Sequence, residues 1–476
     1  MGSTFGGLNT AYSGLAAARR GLEVVGQNIT NATTVGYTRQ RIETSAVASP
    51  GTASMFRVGV EPGAGVSIDA IGRLSSELLN GRVRTSAAES GYWGVRASVL
   101  DRLETSLREP SDEGLSSSLQ DFWAGWQDVA NRPGDAAATG VLLERSAVLA
   151  SHIAQGYSDA TAEWTGMRAQ TVQVAANVNS LAAEVAELND QIRRAIAGGA
   201  QPNELLDQRD QRAIRLAALA EATVRDRSDG TVDIVLGGDA LVSGDRARAV
   251  TVAGPLRLED TTAADSVRLE WADRPGVAVT VDGGELLGAL SVLAPADASG
   301  KGGAIAEAAA AYNKLATQLR SQVNSLHRTG LTPSGVAGGD FFGETLGVPA
   351  ALSLTVLPTD ASSVAAAGAN AGDGKGTMAD RISQLGVADG GPDSIWGAYV
   401  VRAGVESRAI GQQMELADRA TRAATSQQQS QASVDLDEET TLLLTYQHAY
   451  QGAARVMTAI DEMLDVLINR TGVVGR

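Results

Sequence analysis

The alternation of apolar and polar positions is sharpest at the two ends of the chain. Leu8, Leu15, Leu22 and Ile29 recur every seven residues, and Ala11, Ala18 and Val25 fall three after the first three of them. That spacing predicts a helix with an a/d seam. Gly7, Gly14 and Gly21 repeat at the same interval, although a glycine inside a helix costs about 1 kcal/mol relative to alanine. Three in register imply close approach by a neighbouring backbone. Ser3 or Thr4 can cap the start. The helix is predicted to stop within 28–36, where Asn, Thr and Gly offer the backbone turn geometries. Tyr37 to Ile42 then reads as extended.

The far end mirrors this. Leu443, Tyr446, Tyr450, Ala453, Met457, Ile460, Leu464 and Leu467 are spaced alternately by three and four. Asp435 is the expected N-cap, with Glu438 completing a capping box. Residues 1–45 carry four arginines against two glutamates, and residues 435–476 carry seven acids against three arginines. Two apolar seams of opposite charge predict that the ends pack together; the alternative is that each seam docks on the body of its own protein.

Between them the pattern is layered. Residues 70–220 read as helical, with a long stretch over 137–197 ended by Gly198-Gly199, and a further helix opened by Pro202 over 203–220. Period-two alternation at Val232-Ile234-Leu236, Val267-Leu269-Trp271 and Val277-Val279-Val281, with Gly-rich turns between, predicts hairpins. Helix returns over 304–327. A Gly-rich loop follows at 330–343, a short strand is expected over 353–357, and residues 366–377 read as a surface loop. A long helix begins near Ser394, with a joint in the Gln-rich stretch 426–431. The expected fold is mainly α and elongated, with paired terminal coiled-coil helices and a small inserted antiparallel β domain. The domains expected are 1–45 plus 432–476, 46–221 plus 299–431, and 222–298.

Composition narrows the function. The 476 residues carry Lys+Arg 39 against Asp+Glu 55, a formal charge of −16. No nucleic-acid or anionic-membrane partner is expected from that balance. Aromatic residues are only 4%, which suits thin packed helices better than a large enzyme core. There is no cysteine, so disulfide scaffolds and thiol chemistry are excluded. The first residues lack the basic and apolar regions of a cleaved secretory signal, and no apolar run is long enough to predict a transmembrane helix.

Candidate chemistry is sparse. His152, His327 and His448 lie far apart, and no zincin, P-loop, nucleophile-elbow or dinucleotide motif occurs. The acidic run 435–439 reads as a capped helix start rather than a metal site. Asn28-Ile-Thr and Asn31-Ala-Thr match the glycosylation sequon. Trp123 and Trp126, three apart on one helix, read as core. No enzyme activity and no cofactor are expected.

The N-terminal helix followed by Gly26-Gln-Asn28-Ile-Thr-Asn31-Ala-Thr-Thr-Val-Gly36-Tyr37 resembles the shared motif of axial proteins of the bacterial flagellum. The run from Asp437 to Leu467, with Tyr446-Gln447, Ala449-Tyr450-Gln451 and Asp461-Glu462, resembles their shared C-terminal helix. Tyr37-Thr-Arg39-Gln40, Leu436-Asp-Glu-Glu439, Phe122-Trp123…Asn131-Arg-Pro133-Gly-Asp135, Pro202-Asn203-Glu-Leu-Leu-Asp207-Gln-Arg209-Asp210-Gln211, Gly237-Gly…Leu241-Val-Ser-Gly244, Gly283-Gly284-Glu-Leu-Leu-Gly288 and His327…Phe341-Phe342 are similar to segments of the FlgK family of hook-associated proteins. The β insert is smaller than in larger members of that family.

The resemblance implies a structural protein of the hook–filament junction, exported unfolded by the flagellar type III apparatus and assembled as a ring of copies. It implies as partners further copies of itself, the hook protein, the next junction protein, and an export chaperone on the C-terminal helix. The location implied is extracellular, on the flagellum, and cytoplasmic before export. The assembly interface it implies comprises Leu8, Leu15, Leu22, Val25, Ile29, Asn28, Asn31, Gly36 and Tyr37 at one end. At the other it comprises Leu443, Tyr446, Tyr450, Met457, Ile460, Leu464 and Leu467. The seams are expected to be unpaired before assembly. Another axial subunit is the alternative, though hook-like proteins lack the Leu205-Leu-Asp-Gln-Arg-Asp210 segment. A secreted coiled-coil adhesin is more remote, and so is a hydrolase carried on the flagellum.

Overall fold

The structure, a computed structural model, describes residues 4–48, 63–369, 374–466 and 468. Helix α1 (Thr4–Thr30) is followed by strands β1 (Gln40–Ala46) and β2 (Val66–Arg73). Four helices come next: α2 (Glu77–Leu107), α3 (Leu115–Asn131), α4 (Ala136–Ala197) and α5 (Asn203–Ala220). Strands β3 (Thr223–Asp226), β4 (Val232–Leu236), β5 (Asp239–Ser243) and β6 (Arg246–Ala247) form one antiparallel sheet. Strands β7 (Val250–Ala253), β8 (Arg268–Trp271) and β9 (Arg274–Ala278) form another. The remaining elements are α6 (Gly284–Leu293), α7 (Ala304–His327), β10 (Phe342–Gly343), α8 (Ala350–Ser353), β11 (Thr355–Val356), α9 (Thr377–Ser383), α10 (Pro392–Ala432) and α11 (Leu436–Asp465).

Helix α4 is the spine. Its 62 residues span roughly 90 Å. Asp135 caps it by accepting from the backbone N–H groups of Ala137 and Ala138. Its first half, from Leu142 to Met167, belongs to a core shared with α3, α6, α7, α9 and the start of α10. There Phe122, Trp126, His327, Phe341 and Phe342 pack around one another in edge-to-face and tilted pairs. Its second half, from Val174 to Ala186, builds another core with α5 and the two sheets.

Two asparagines of α4 fasten those sheets. The Asn189 amide donates to the carbonyls of Val232 and Gly244 and accepts from the Val232 N–H. Asn179 exchanges a pair of hydrogen bonds with the Val250 backbone. Gly237 and Gly238, both at positive φ, make the two-residue turn between β4 and β5 that matches strand twist.

Several expectations are corrected. Residues 70–73, expected as the start of the helical region, instead end strand β2, whose edge pairs with β1 from Gln40↔Arg73 to Ala46↔Val66. The Gln-rich stretch is continuous helix, and the break falls at Ser433, where α10 ends. Helix α6 lies inside the expected 222–298 insert, yet Ala289, Val292 and Leu293 pack in the helical core. Of the expected surface loop 366–377, residues 370–373 lie outside the described residues.

Candidate functional site: the terminal hairpin and its joint

Helices α1 and α11 pair antiparallel. Gly7 faces Ile460, Gly14 faces Ala453 and Gly21 faces Tyr446. Each step of seven up α1 is a step of seven down α11. A Cβ at Gly7 would lie 3.3 Å from Ile460 Cδ1, at Gly14 3.9 Å from the Ala453 Cβ, and at Gly21 2.6 Å from the Tyr446 ring. The glycines therefore admit side chains of the partner helix, not its backbone. One more step of seven joins Asn28 to Glu439 by a hydrogen bond of 3.0 Å.

The centre of the seam is the glycine column together with the predicted seam positions Ala11, Ala18 and Val25, which are 6%, 3% and 2% exposed. Leu8, Leu15 and Leu22 flank it half-buried, and Ile29 is exposed. On α11, Ile460 is buried, and Leu443, Tyr446, Met457 and Leu464 are half-buried. Tyr450 is 38% exposed, and Leu467 lies outside the described residues. The opposite charges of the two ends meet only at the joint among the described pairs, since Arg19 and Arg20 both bond Glu23 of their own helix.

The joint is built on Asn28, buried at the end of α1. Its Nδ2 donates to the Gln40 carbonyl at 2.9 Å and to Glu439 Oε2 at 3.0 Å. Its Oδ1 accepts from the Gln40 N–H at 3.0 Å and the Tyr37 hydroxyl at 2.9 Å. Both donors and both lone pairs are used. A sequon glycan on this nitrogen would have no room. Asn31, the other sequon asparagine, donates to the Gln27 carbonyl and closes the helix end.

Glu439 is fully buried, and its other oxygen accepts from Arg39 Nε at 2.7 Å. Arg39 also reaches Glu438 Oε2 at 2.5 Å. Glu438 thus serves the joint, while the α11 cap is Asp435, which accepts from the N–H groups of Asp437 and Glu438. Burial alone would lower the Arg39 pKa, but the bonds to Glu438 and Glu439 outweigh it and hold it above the usual value. The Tyr37 hydroxyl is pushed well up by burial and by the charges of Glu204, Asp207 and Glu439.

A second layer ties the joint to α5. Gln40 donates to Glu204, and Asn203 donates to Gln40 Oε1 and to the Ile71 carbonyl. Asp207 accepts from the Thr38 N–H at 3.0 Å and from Arg73 at 2.6 Å, and Arg73 also reaches Asp210 at 3.1 Å. Burial raises the Asp210 pKa against the pull of Arg73 and Arg209. Gly36 turns the chain at φ +79, where a Cβ would fall on the Gln211 side chain. That side chain donates to the Val35 carbonyl.

Three motifs distant in sequence, at 37–40, 202–211 and 436–439, thus meet at one place. Glu439, Gln40, Arg73 and Glu204 are the joint residues that the heptad reading missed. For Glu439 the signal is a charge four residues before Leu443, on the face that the α11 repeat requires to be buried; Gln40, Arg73 and Glu204 lie off both repeats. The arrangement ties α1, β1, β2, α5 and α11 to one another through side-chain hydrogen bonds and ion pairs. Among the described residues no group of three or more His, Asp or Glu could hold a metal ion, and no helix is long and apolar enough to cross a membrane.

Residues 8–38 match the family described as flagella basal body rod protein, and residues 426–470 match the flagellar basal body rod FlgEFG protein C-terminal family. The hairpin therefore carries the framework of a flagellar rod- and hook-type chain. Residues 100–342, half of the chain, match the flagellar hook-associated protein FlgK helical domain, and the chain belongs to the FlgK family. Flagellar hook-associated protein 1 of Bacillus subtilis (strain 168) is 27% identical, with 100% of each chain covered. Its namesake in Escherichia coli (strain K12) is 28% identical over 75% of this chain and 65% of its own length. The solved structure of the flagellar hook junction protein FlgK from Burkholderia pseudomallei has the same fold, with a TM-score of 0.61 at 15% identity. It covers 75% of this chain and 100% of that one.

Proposed function

We propose that this chain is a structural subunit of the bacterial flagellum, joining hook to filament, and that it polymerises through the terminal hairpin. The observation that carries this is the hairpin itself. It is two helices thick, and its outer surface stays apolar after the seam is closed. Ala449, Val456 and Met463 stand exposed at spacing seven on α11, and Tyr12 and Ile29 stand exposed on α1. A soluble protein does not keep a periodic apolar stripe without a partner. Like hairpins of neighbouring copies are that partner, and the joint fixes the angle at which the body stands off the resulting tube. The hook protein and the next junction protein contact the two ends of this zone. Export proceeds unfolded through the flagellar type III apparatus, with a chaperone covering the seam of α11 from Leu443 to Leu467. The exported chain acts outside the cell and is not an enzyme.

The test separates pairing from polymerisation. Val456→Asp lies on the outer stripe and should leave the hairpin closed and the body folded while abolishing filament growth. Leu464→Asp should open the hairpin as well. Normal motility with both variants contradicts the reading.

A further inference from the structure

Helices α2 and α10 form an antiparallel arm beside the joint. Thr421 donates to the Ser86 carbonyl at 2.8 Å, and Gln428 donates to Asn80 at 2.6 Å. From Val400 to Ala432 the only buried residues of α10 are Ile410 and Ala417, on the face against α2. The opposite face carries Val401, Val405, Ala409, Gln412, Leu416, Ala420 and Ala423 at helical spacing, with Val401, Val405 and Leu416 exposed by 67%, 63% and 57%.

The arm also has a shallow groove of about 600 Å³. Gly81 lies between Leu78, 70% exposed, and Thr85, with Ala424 on the far wall. Glu77 and Glu89 mark its ends. The stripe and the groove are on different faces, so one molecule cannot satisfy its own. Glu89 beside the groove and Arg408 beside the stripe are both exposed, and neither has an ion-pair partner among the described residues.

We infer that a second copy of this chain covers the stripe, Leu416 of one arm seating over Gly81 of the next. This rests on the reading that copies assemble side by side. Copies pointing the same way around an axis bring α10 of one antiparallel to α2 of its neighbour. Placing Arg408 at Glu89 then puts Gln412 opposite Thr85 and Leu416 opposite Gly81, so charge and shape select one register. The contact joins unlike surfaces and therefore propagates from copy to copy. It shifts neighbours by about ten residues relative to the pairing within one arm, roughly 15 Å along the axis. That shift favours a helical array over a flat ring.

The chain lacks cysteine, so disulfide trapping is clean. Thr85→Cys with Gln412→Cys in the full chain, oxidised in isolated flagella, should give a ladder of multimers that neither single variant gives. Val456→Cys with Ile29→Cys, both on the exposed apolar surface of the hairpin, reports contact between neighbouring hairpins in the same preparations. A hairpin ladder without an arm ladder overturns this inference, and the absence of both overturns the reading beneath it. A dimer from Gln412→Cys alone means that like surfaces meet, which also overturns it. Arg408→Glu and Glu89→Arg should each lower incorporation several-fold, and the double variant should restore it. Failure of that rescue counts against the register.

Discussion

The aromatic core of the body and the terminal hairpin are built on opposite principles. Seven of the 17 residues of α3 are buried, among them Phe122, Trp123 and Trp126. The 30 residues of α11 bury only Glu439 and Ile460. The body closes on itself in three dimensions, with Trp126, Phe122, Phe341 and Phe342 wholly buried. The hairpin closes along one line and remains open on its outer side. One region carries its own stability, and the other carries an unfilled surface. A two-helix element of this kind depends on its joint, because helix propensity alone seldom stabilises isolated helices.

Breaking either side of this contrast has a distinct signature. Trp126→Ala should cost the body about 3–5 kcal/mol, read as a lowered denaturation midpoint, while the hairpin register survives. Gly21→Leu should do the reverse. Its side chain has no room beside Tyr446, so amide protection should drop along α1 and α11 with the body transition unmoved. Asn28→Ala leaves Glu439 with one fewer donor and should cost about 1–3 kcal/mol, confined to the hairpin and detectable by hydrogen exchange.

Two smaller effects are pH-dependent and belong to the body. His327 is wholly buried, with Nδ1 bonded to the Gly339 carbonyl and Nε2 accepting from the Ala365 N–H. Burial lowers its pKa, so its contribution is complete above the ordinary value of about 6.5. It is lost as pH falls through the folded value. His327→Gln should flatten that acid limb of the unfolding curve. Asp393 behaves oppositely. Burial raises it to about 6 although Trp123 Nε1 donates to it at 2.6 Å. The cost of keeping it charged grows as pH rises from about 4 to 6. Asp393→Asn should therefore stabilise the body slightly at pH 7 and leave it unchanged at pH 4.

The elements legible in the sequence are those with long, unmixed periodicity. The helices over 136–197, 203–220 and 304–327 follow from apolar spacing and from Gly and Pro at their ends. The strand over 66–73 is not legible, because Val66-Ser-Ile-Asp-Ala-Ile has too short an alternation and its pairing edge lies 20 or more residues away. The N-terminal heptad is legible: its Ala11, Ala18 and Val25 positions are buried at the centre of the seam, and its leucines flank it half-buried. Glycine and alanine carry little weight in a hydrophobic count, yet here they set the closest contact. Asn189 and Asn28 show the same limit. Each looks like a turn or surface residue, and each is a buried clamp whose partners come from elements distant in sequence.

The central claim is the antiparallel step-of-seven register that closes the two ends of one chain. Gly14→Cys with Ala453→Cys tests it directly, since the two Cβ positions are 3.9 Å apart, within the range a disulfide spans. Mild oxidation of the assembled protein in isolated flagella should give an intramolecular bond within each chain, with the free thiols lost and the mass of each chain unchanged apart from two hydrogens. Persistent thiols, or bonds formed only between chains, would contradict the register and with it the account of the joint.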